Sequence, residues 1–148
     1  MNDPIAILKR DHKEATAMLK ELADSKPGAR RRRTAQKLAD ALTLHMDIEE
    51  QIVYPVIAQR VGHEEEQEAE VEHTLAREGV QKMLELVDAP GFGAVVAMLT
   101  AGIKHHVKEE ETEVFPELKQ QLDRDELARM GDDVAAAKKP RRRTRAAA

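Results

Sequence analysis

The chain of 148 residues contains no cysteine, which excludes disulfides, thiolate metal sites and a cysteine nucleophile. Aromatics make up only 2% (Tyr54, Phe92 and Phe115), so a core must be built from Leu, Ile, Val, Ala and Met. That composition argues against a β-sandwich and for helices, because strands are enriched in aromatic and β-branched residues. No 18-residue apolar run and no basic-then-apolar leader is present, so a soluble, cytoplasmic protein without a membrane segment is expected. Charge of one sign is not dominant either. With 24 Lys+Arg against 28 Asp+Glu the net charge is −4, which argues against a surface devoted to nucleic acid or anionic lipid. The distribution is uneven, however. Six cations and no acid lie in residues 138–148, so 18 cations face 28 acids elsewhere, a net charge of −10.

The periodicity is helical. Asp3-Pro4 reads as N-cap and first helical residue, and Ile5, Leu8, Ala15, Leu19 and Leu22 follow at steps that keep one face. Ser25-Lys26-Pro27-Gly28 ends that segment, and a second, with Leu38, Leu42, Ile52 and Val56 on its stripe, runs to Gly62. Pro55 lies inside it and is expected to kink its last turns. A third runs from about Glu64 to Val87, and a fourth carries Leu99 and Ile103 and reaches Gln121. Asp123 with Glu126 three residues later resembles a capping box opening a short fifth helix. The expectation is an all-α, antiparallel up-down-up-down four-helix bundle over residues 1–137, followed by a disordered basic tail over 138–148. Arg30 to Arg33 stand where cations oppose a helix macrodipole, so some of them are expected in the loop, and no motif or stacking aromatic marks them for specific nucleic-acid binding.

The residues that interrupt the apolar stripes carry the chemistry. His12 fills the missing step of the first stripe, His45 and Glu49 that of the second, His73 lies between Ala69 and Ala76, and the fourth stripe continues into His106 and Glu110. A lone histidine on an apolar face is ordinarily a satisfied core residue. Four helices each aiming one inward, with two carboxylates, need a shared partner, since uncompensated buried charge costs several kcal/mol, of order 3 or more per group. A cation is the obvious one. His45 and Glu49, like His106 and Glu110, are four residues apart and project from one face.

An offset of 61 residues superposes these features without a gap. Asp11-His12 falls on Glu72-His73, His45 on His106, Glu49-Glu50 on Glu110-Glu111, and Tyr54-Pro55 on Phe115-Pro116. Duplicated packing alone gives no reason to repeat two core histidines and one core acid, and the repeat (12–55 and 73–116) describes two half-sites. Imidazole with carboxylate suits Fe, Mn, Zn or Co, and the donor set does not choose among them.

On these residues the chain, from about Asp3 to Leu122, resembles the hemerythrin-like domains of the His-His-Glu (HHE) cation-binding type. The resemblance implies a non-haem di-iron centre with two iron ions per chain, bridged by two carboxylates and an oxo or hydroxo group, with Mn or Zn as the less favoured metals. It implies the ligand set His12, His45, Glu49, His73, His106 and Glu110, and a small ligand such as hydrogen peroxide, oxygen or nitric oxide. One departure stands out: oxygen carriers of this type have a further histidine four residues after the third-helix one, where this chain has Arg77. A four-histidine centre leaves open positions on both metals, which favours an enzyme, a catalase- or peroxidase-like protein decomposing hydrogen peroxide and acting also on nitric oxide. The alternative is a carrier, store or sensor of oxygen, nitric oxide or iron without turnover. Tyr54, the only phenol, is either a ligand or redox neighbour of the centre or a packing aromatic like its repeat partner Phe115. Asp11 and Glu72 could orient imidazoles, and Glu50 and Glu111 read as supporting or surface acids. His63 is expected to be exposed, His105 is a weaker substitute for His106, and Glu113, aligned with Ile52, breaks its stripe. A monomer or weak homo-oligomer is expected.

Overall fold

The computed structural model describes residues 2–140. Seven α-helical stretches follow in chain order: α1 (Pro4–Ala23), α2 (Ala29–Ile48), α3 (Tyr54–Arg60), α4 (His63–Glu85), α5 (Phe92–Glu109), α6 (Phe115–Gln121) and α7 (Arg124–Lys138). A π-helical turn, Glu49–Val53, joins α2 to α3 without a break, and a second, Glu110–Val114, joins α5 to α6. The long elements are therefore four, and they form the antiparallel bundle expected from the periodicity. α1 packs on α2 and α5, and α4 packs on α5, α2 and α3.

Local chemistry explains the boundaries. The Asp3 carboxylate accepts from the Ile5 N–H at 2.9 Å, and Pro4 occupies the first turn, where its missing N–H costs nothing. Gly28 opens α2 at φ 149°, a conformation that side chains other than glycine rarely adopt. Asp123 and Glu126 form the reciprocal capping box, with bonds of 2.8 and 3.0 Å, and α7 follows.

The π turns change the second and fourth stripes. Pro55 and Pro116 sit in the first turns of α3 and α6, directly after them. A proline in a regular helix would clash with the carbonyl four residues back, and the wider i→i+5 turn makes room for it. The expected kink is thus a π turn, in which the Tyr54 N–H reaches the Glu49 carbonyl. Beyond the turn the buried positions are Val53, Tyr54 and Ile57, while Ile52 and Val56, expected on the stripe, are only half-buried and pack in the cluster that α7 joins.

Two further expectations are corrected. Arg30 to Arg33 all lie in α2, which begins at Ala29. Arg31 is buried over the Phe92 ring, 4.2 Å from its centroid, and donates to Ser25 and, at 3.2 Å, to the Val87 carbonyl. Arg30 and Arg32 pair with Glu21 and Asp88. Arg31 and Arg32 bind loop groups at this end of the bundle, and Arg30 an acid of α1, which offsets their unfavourable place in the first turn. The helix α7 also extends to Lys138, whose ammonium pairs with Asp11, so the expected tail starts later; residues 141–148 lie outside the described residues.

The core is split into two apolar clusters. One, towards the loops at Pro27 and Pro90, gathers Leu19, Leu38, Met83 and Phe92 with their neighbours. The other gathers Leu8, Ile57, Phe115 and Leu118 with Met130 and Val134 of α7. Between them lie the polar residues.

Candidate metal centre

His12, His45, His73, His106, Glu49 and Glu110 all project into the bundle and are at most 9% exposed. Helices α1, α2, α4 and α5 contribute one imidazole each, and the two glutamates begin the two π turns. Glu49 lies between three histidines, with its Oε1 3.1 Å from His45 Nε2, 3.2 Å from His73 Nε2 and 3.6 Å from His106 Nε2. Glu110 is placed equivalently, with Oε1 3.0 Å from His12 Nε2 and 4.0 Å from His45 Nε2, and Oε2 3.0 Å from His106 Nε2. The ring pairs His12–His45 and His73–His106 have centroids 4.9 and 5.0 Å apart, each at 64°. The 61-residue repeat is therefore a pseudo-two-fold in space.

Each imidazole is held from behind through Nδ1. His12 Nδ1 is 2.7 Å from Glu111, His73 Nδ1 2.8 Å from Glu50, His45 Nδ1 2.8 Å from Asp11 and His106 Nδ1 2.7 Å from Glu72. A carboxylate only accepts, so each Nδ1 carries the hydrogen and each Nε2 is directed inward as a donor atom for a cation. Asp11 and Glu72 do orient imidazoles, but on the neighbouring helix, since adjacent residues on a helix diverge by about 100°. Glu50 and Glu111 serve as supporting acids for the remaining two. Arg77 does not enter the centre. Its guanidinium bonds Asp47 at 3.0 Å and Glu50 at 2.7 Å, reinforcing the acid behind His73. Lys138 does the same for Asp11. Neither contact was foreseeable from spacing, because both partners lie on other helices.

Among the described residues the inward atoms lack partners. All four Nε2 atoms, both Glu49 oxygens and Glu110 Oε1 are buried without a hydrogen bond. So many orphaned polar atoms in one place would cost roughly 1–3 kcal/mol each, and a cation satisfies all of them at once. The electrostatics agree. Burial alone would lower the His45 pKa, but the charge of Glu49 and the hydrogen bond with Asp11 outweigh it and push His45 up to about 10. Against the same effect of burial, contacts with Glu110, Glu49 and Glu72 push His106 up. Burial would raise the Glu49 carboxyl, yet the facing His45 and its neighbours hold it well below the usual carboxylate range. Without metal the centre holds protons where it could hold cations. Two donor groups come close enough together to take an ion each: His12, His45, Glu49 and Glu110, and Glu49, His73 and His106.

The model of the hemerythrin HHE cation-binding domain matches residues 3–118. The chain belongs to that family. No curated protein and no solved structure matches it. The match to this HHE domain ends before α7, so the helix that supplies Lys138 to Asp11 lies outside it.

Tyr54 breaks the two-fold of the HHE centre. Its hydroxyl donates to Glu110 Oε2 at 2.7 Å, the one oxygen of the two carboxylates that has a hydrogen-bond partner among the described residues, whereas its repeat partner Phe115 stacks flat on His12 at 5.9 Å. Burial and the charges of Glu110 and Glu49 push the Tyr54 phenol pKa up, so it stays protonated and donates. Among the remaining candidates His63 is exposed, and His105, also exposed, lies beside Glu72 and Glu109 outside the centre. Between α1, α2, α4 and α5, an apolar cavity of about 540 Å³, bounded in part by Ala15, Leu42, Ala76 and Leu99, reaches all four histidines. Among the described residues no helix is long and apolar enough to cross a membrane.

Proposed function

We propose that His12, His45, Glu49, His73, His106 and Glu110 hold two iron ions, and that the protein decomposes hydrogen peroxide to water and oxygen, with nitric oxide as a further substrate. Supporting this above all is the matched set of seven orphaned inward atoms, arranged as two equivalent half-sites. Each half offers two imidazoles and a share of two bridging carboxylates, and Arg77 adds no fifth imidazole to either. Iron held by these residues would supply redox change at two adjacent ions. The chain's own groups do the rest. The Asp11, Glu50, Glu72 and Glu111 carboxylates fix the imidazole tautomers, Tyr54 holds a proton at Glu110 Oε2, and the apolar cavity admits a small uncharged reactant while excluding bulk ions.

That cavity also favours a second reading, reversible binding of apolar oxygen or nitric oxide without turnover, because an apolar cavity takes up apolar ligands readily. The deciding experiment is metal analysis and an optical spectrum of the purified protein before and after peroxide, with oxygen evolution followed in parallel. Two irons per chain with sustained oxygen release are expected. Two irons with a reversible spectral change and no release would replace turnover by the binding function. Zinc, or no stoichiometric metal, would overturn both.

A further inference from the structure

The pseudo-two-fold that relates the two halves of the centre fails on the bundle's outer surface, and the failure is systematic. On the first half, Ile7, Ile48, Ile52 and Val56 form an apolar strip that packs in the cluster containing Met130 and Val134 of α7. At the equivalent positions of the second half, 61 residues on, stand Glu68, Glu109, Glu113 and Glu117. No helix of the described residues lies over this second seam, between α4 and the α5 to α6 rod, as α7 lies over the first. The mismatch of Glu113 with Ile52 is thus one of four substitutions with the same sense.

The seam leads inward. A small cavity of about 20 Å³ is bounded by Glu65, Glu68, Glu109 and Glu113 on the outside and by His106, Tyr54 and Glu110 on the inside. Its volume suffices for a water molecule or a bare cation. Glu110 is 1% exposed and its Oε1 has no partner, so the seam ends on a buried carboxylate of the candidate centre that is still able to accept a cation. Glu65 carries a buried, unpartnered oxygen of its own. Burial and the crowd of Glu117, Glu113, Glu68 and Glu64 push its pKa up, the behaviour of carboxylates packed together without a counter-charge.

The covered half shows what the open half is missing. There, the acid behind the histidine of the second long helix, Asp11, has its outer oxygen met by the Lys138 ammonium. The equivalent acid, Glu72, holds His106 with one oxygen and presents the other to His105 at 3.4 Å, beside Glu109, whose Oε1 is 3.1 Å from the same His105 nitrogen. These three residues bring ligand atoms close enough together to hold one ion. A cation stands at this position on one half, supplied by the chain. On the other half carboxylates and an imidazole face solvent.

We infer that the acidic seam between α4 and the α5 to α6 rod is the route by which divalent cations enter the centre, with Glu72, His105 and Glu109 as the capture point at its mouth. The inference rests on the reading of the centre as a metal site. Divalent metal is concentrated at the seam by carboxylates that make no ion pair with Lys or Arg among the described residues, sheds water stepwise onto them, and passes Tyr54 to reach Glu110. Electrostatic focusing of this kind changes association rates by roughly 10- to 1,000-fold and is screened by salt.

The test is the rate at which metal-free full-length protein fills with Co(II), read from the rise of its visible d–d bands. In the triple variant Glu68→Gln, Glu113→Gln, Glu117→Gln, which leaves the centre and the capture point untouched, filling should slow about tenfold at low ionic strength. The difference should shrink in high salt, and the final cobalt content and thermal melt should match the parent. A variant of equal charge with the neutralisations at the far end of the bundle, Glu21→Gln, Asp24→Asn, Glu85→Gln, should fill at close to the parent rate. If both variants fill alike, or the seam variant takes up less cobalt at the parent rate, the entry route is wrong while the metal centre stands. If the parent itself takes up no cobalt, the reading of the centre fails and the route falls with it.

Discussion

At the scale of single residues, the centre is a set of polar side chains whose burial makes sense only together. Four histidines and two glutamates were legible in the sequence because each interrupts an apolar stripe, and a stripe position is a burial position whatever stands there. What was not legible is how they are held. Arg77 and Lys138 act across helices on acids that are themselves one step removed from the centre, and no periodicity links such pairs. Tyr54 is the residue whose role the structure narrows most. A protonated phenol donating to Glu110 Oε2 supports a carboxylate rather than serving as a metal ligand. Replacing it by the residue its own repeat uses, Tyr54→Phe, should therefore leave two metal ions per chain. It should also destabilise the metal-free protein by about 1–2 kcal/mol, since a buried carboxylate oxygen loses its only donor. Metal analysis and urea denaturation of the apoprotein check both, and a fall to one metal per chain would make Tyr54 a ligand after all.

At the scale of elements, the four long helices follow from the apolar spacing and the turn residues between them, and the Asp3 cap with Pro4 sets the start of the first. The two π turns do not follow, because a 3.6-residue period carries no mark of one wider turn. Pro55 and Pro116 signalled a disturbance without its form. The consequence is large: an ideal helix would set Tyr54 about 140° from Glu49, off the face of the centre. The i→i+5 turn brings Tyr54 round so that its hydroxyl reaches Glu110 and its ring meets His73 edge-on at 5.9 Å. Inserting one alanine after Gln51, an exposed residue within the turn, adds a residue that the already widened turn has no room to absorb, and should rotate α3 by about 100°. Tyr54 and Ile57, 5% and 0% exposed, would leave the core. A loss of at least 3 kcal/mol is expected, as for removing large core side chains, where insertion of one residue into an ordinary surface loop would cost far less. A thermal melt decides; a shift of only a degree or two would mean that the π turn is not what seats α3.

At the scale of the whole molecule, the repeat makes two like halves and α7 makes them unlike. That helix lies on the first half alone, so one seam of the bundle is closed and apolar and the other open and acidic. In the sequence this asymmetry showed only as the stray Glu113, since the place where α7 docks is a tertiary fact, fixed by how Met130 and Val134 fit against α1 and the first π turn. The fit is tight at Gly131. A Cβ there would run into the backbone carbonyl of Asn2 and lie 3.1 Å from Pro4 Cδ. Neither group can swing aside as a flexible side chain would, because Pro4 begins α1 and Asn2 is backbone. Glycine to alanine inside a helix ordinarily stabilises, by about 0.5–1 kcal/mol. In Gly131→Ala the sign should reverse, with a loss of about 1–3 kcal/mol, as overpacking against rigid neighbours costs. The loss should come with displacement of α7, freeing Lys138 from Asp11 and slackening the support of His45. Metal affinity should fall with it, by less than the 10- to 100-fold expected for removing the supporting acid outright. Calorimetric melting together with metal titration measures the two effects at once, and a raised melting temperature would mean that α7 does not sit on α1 as described.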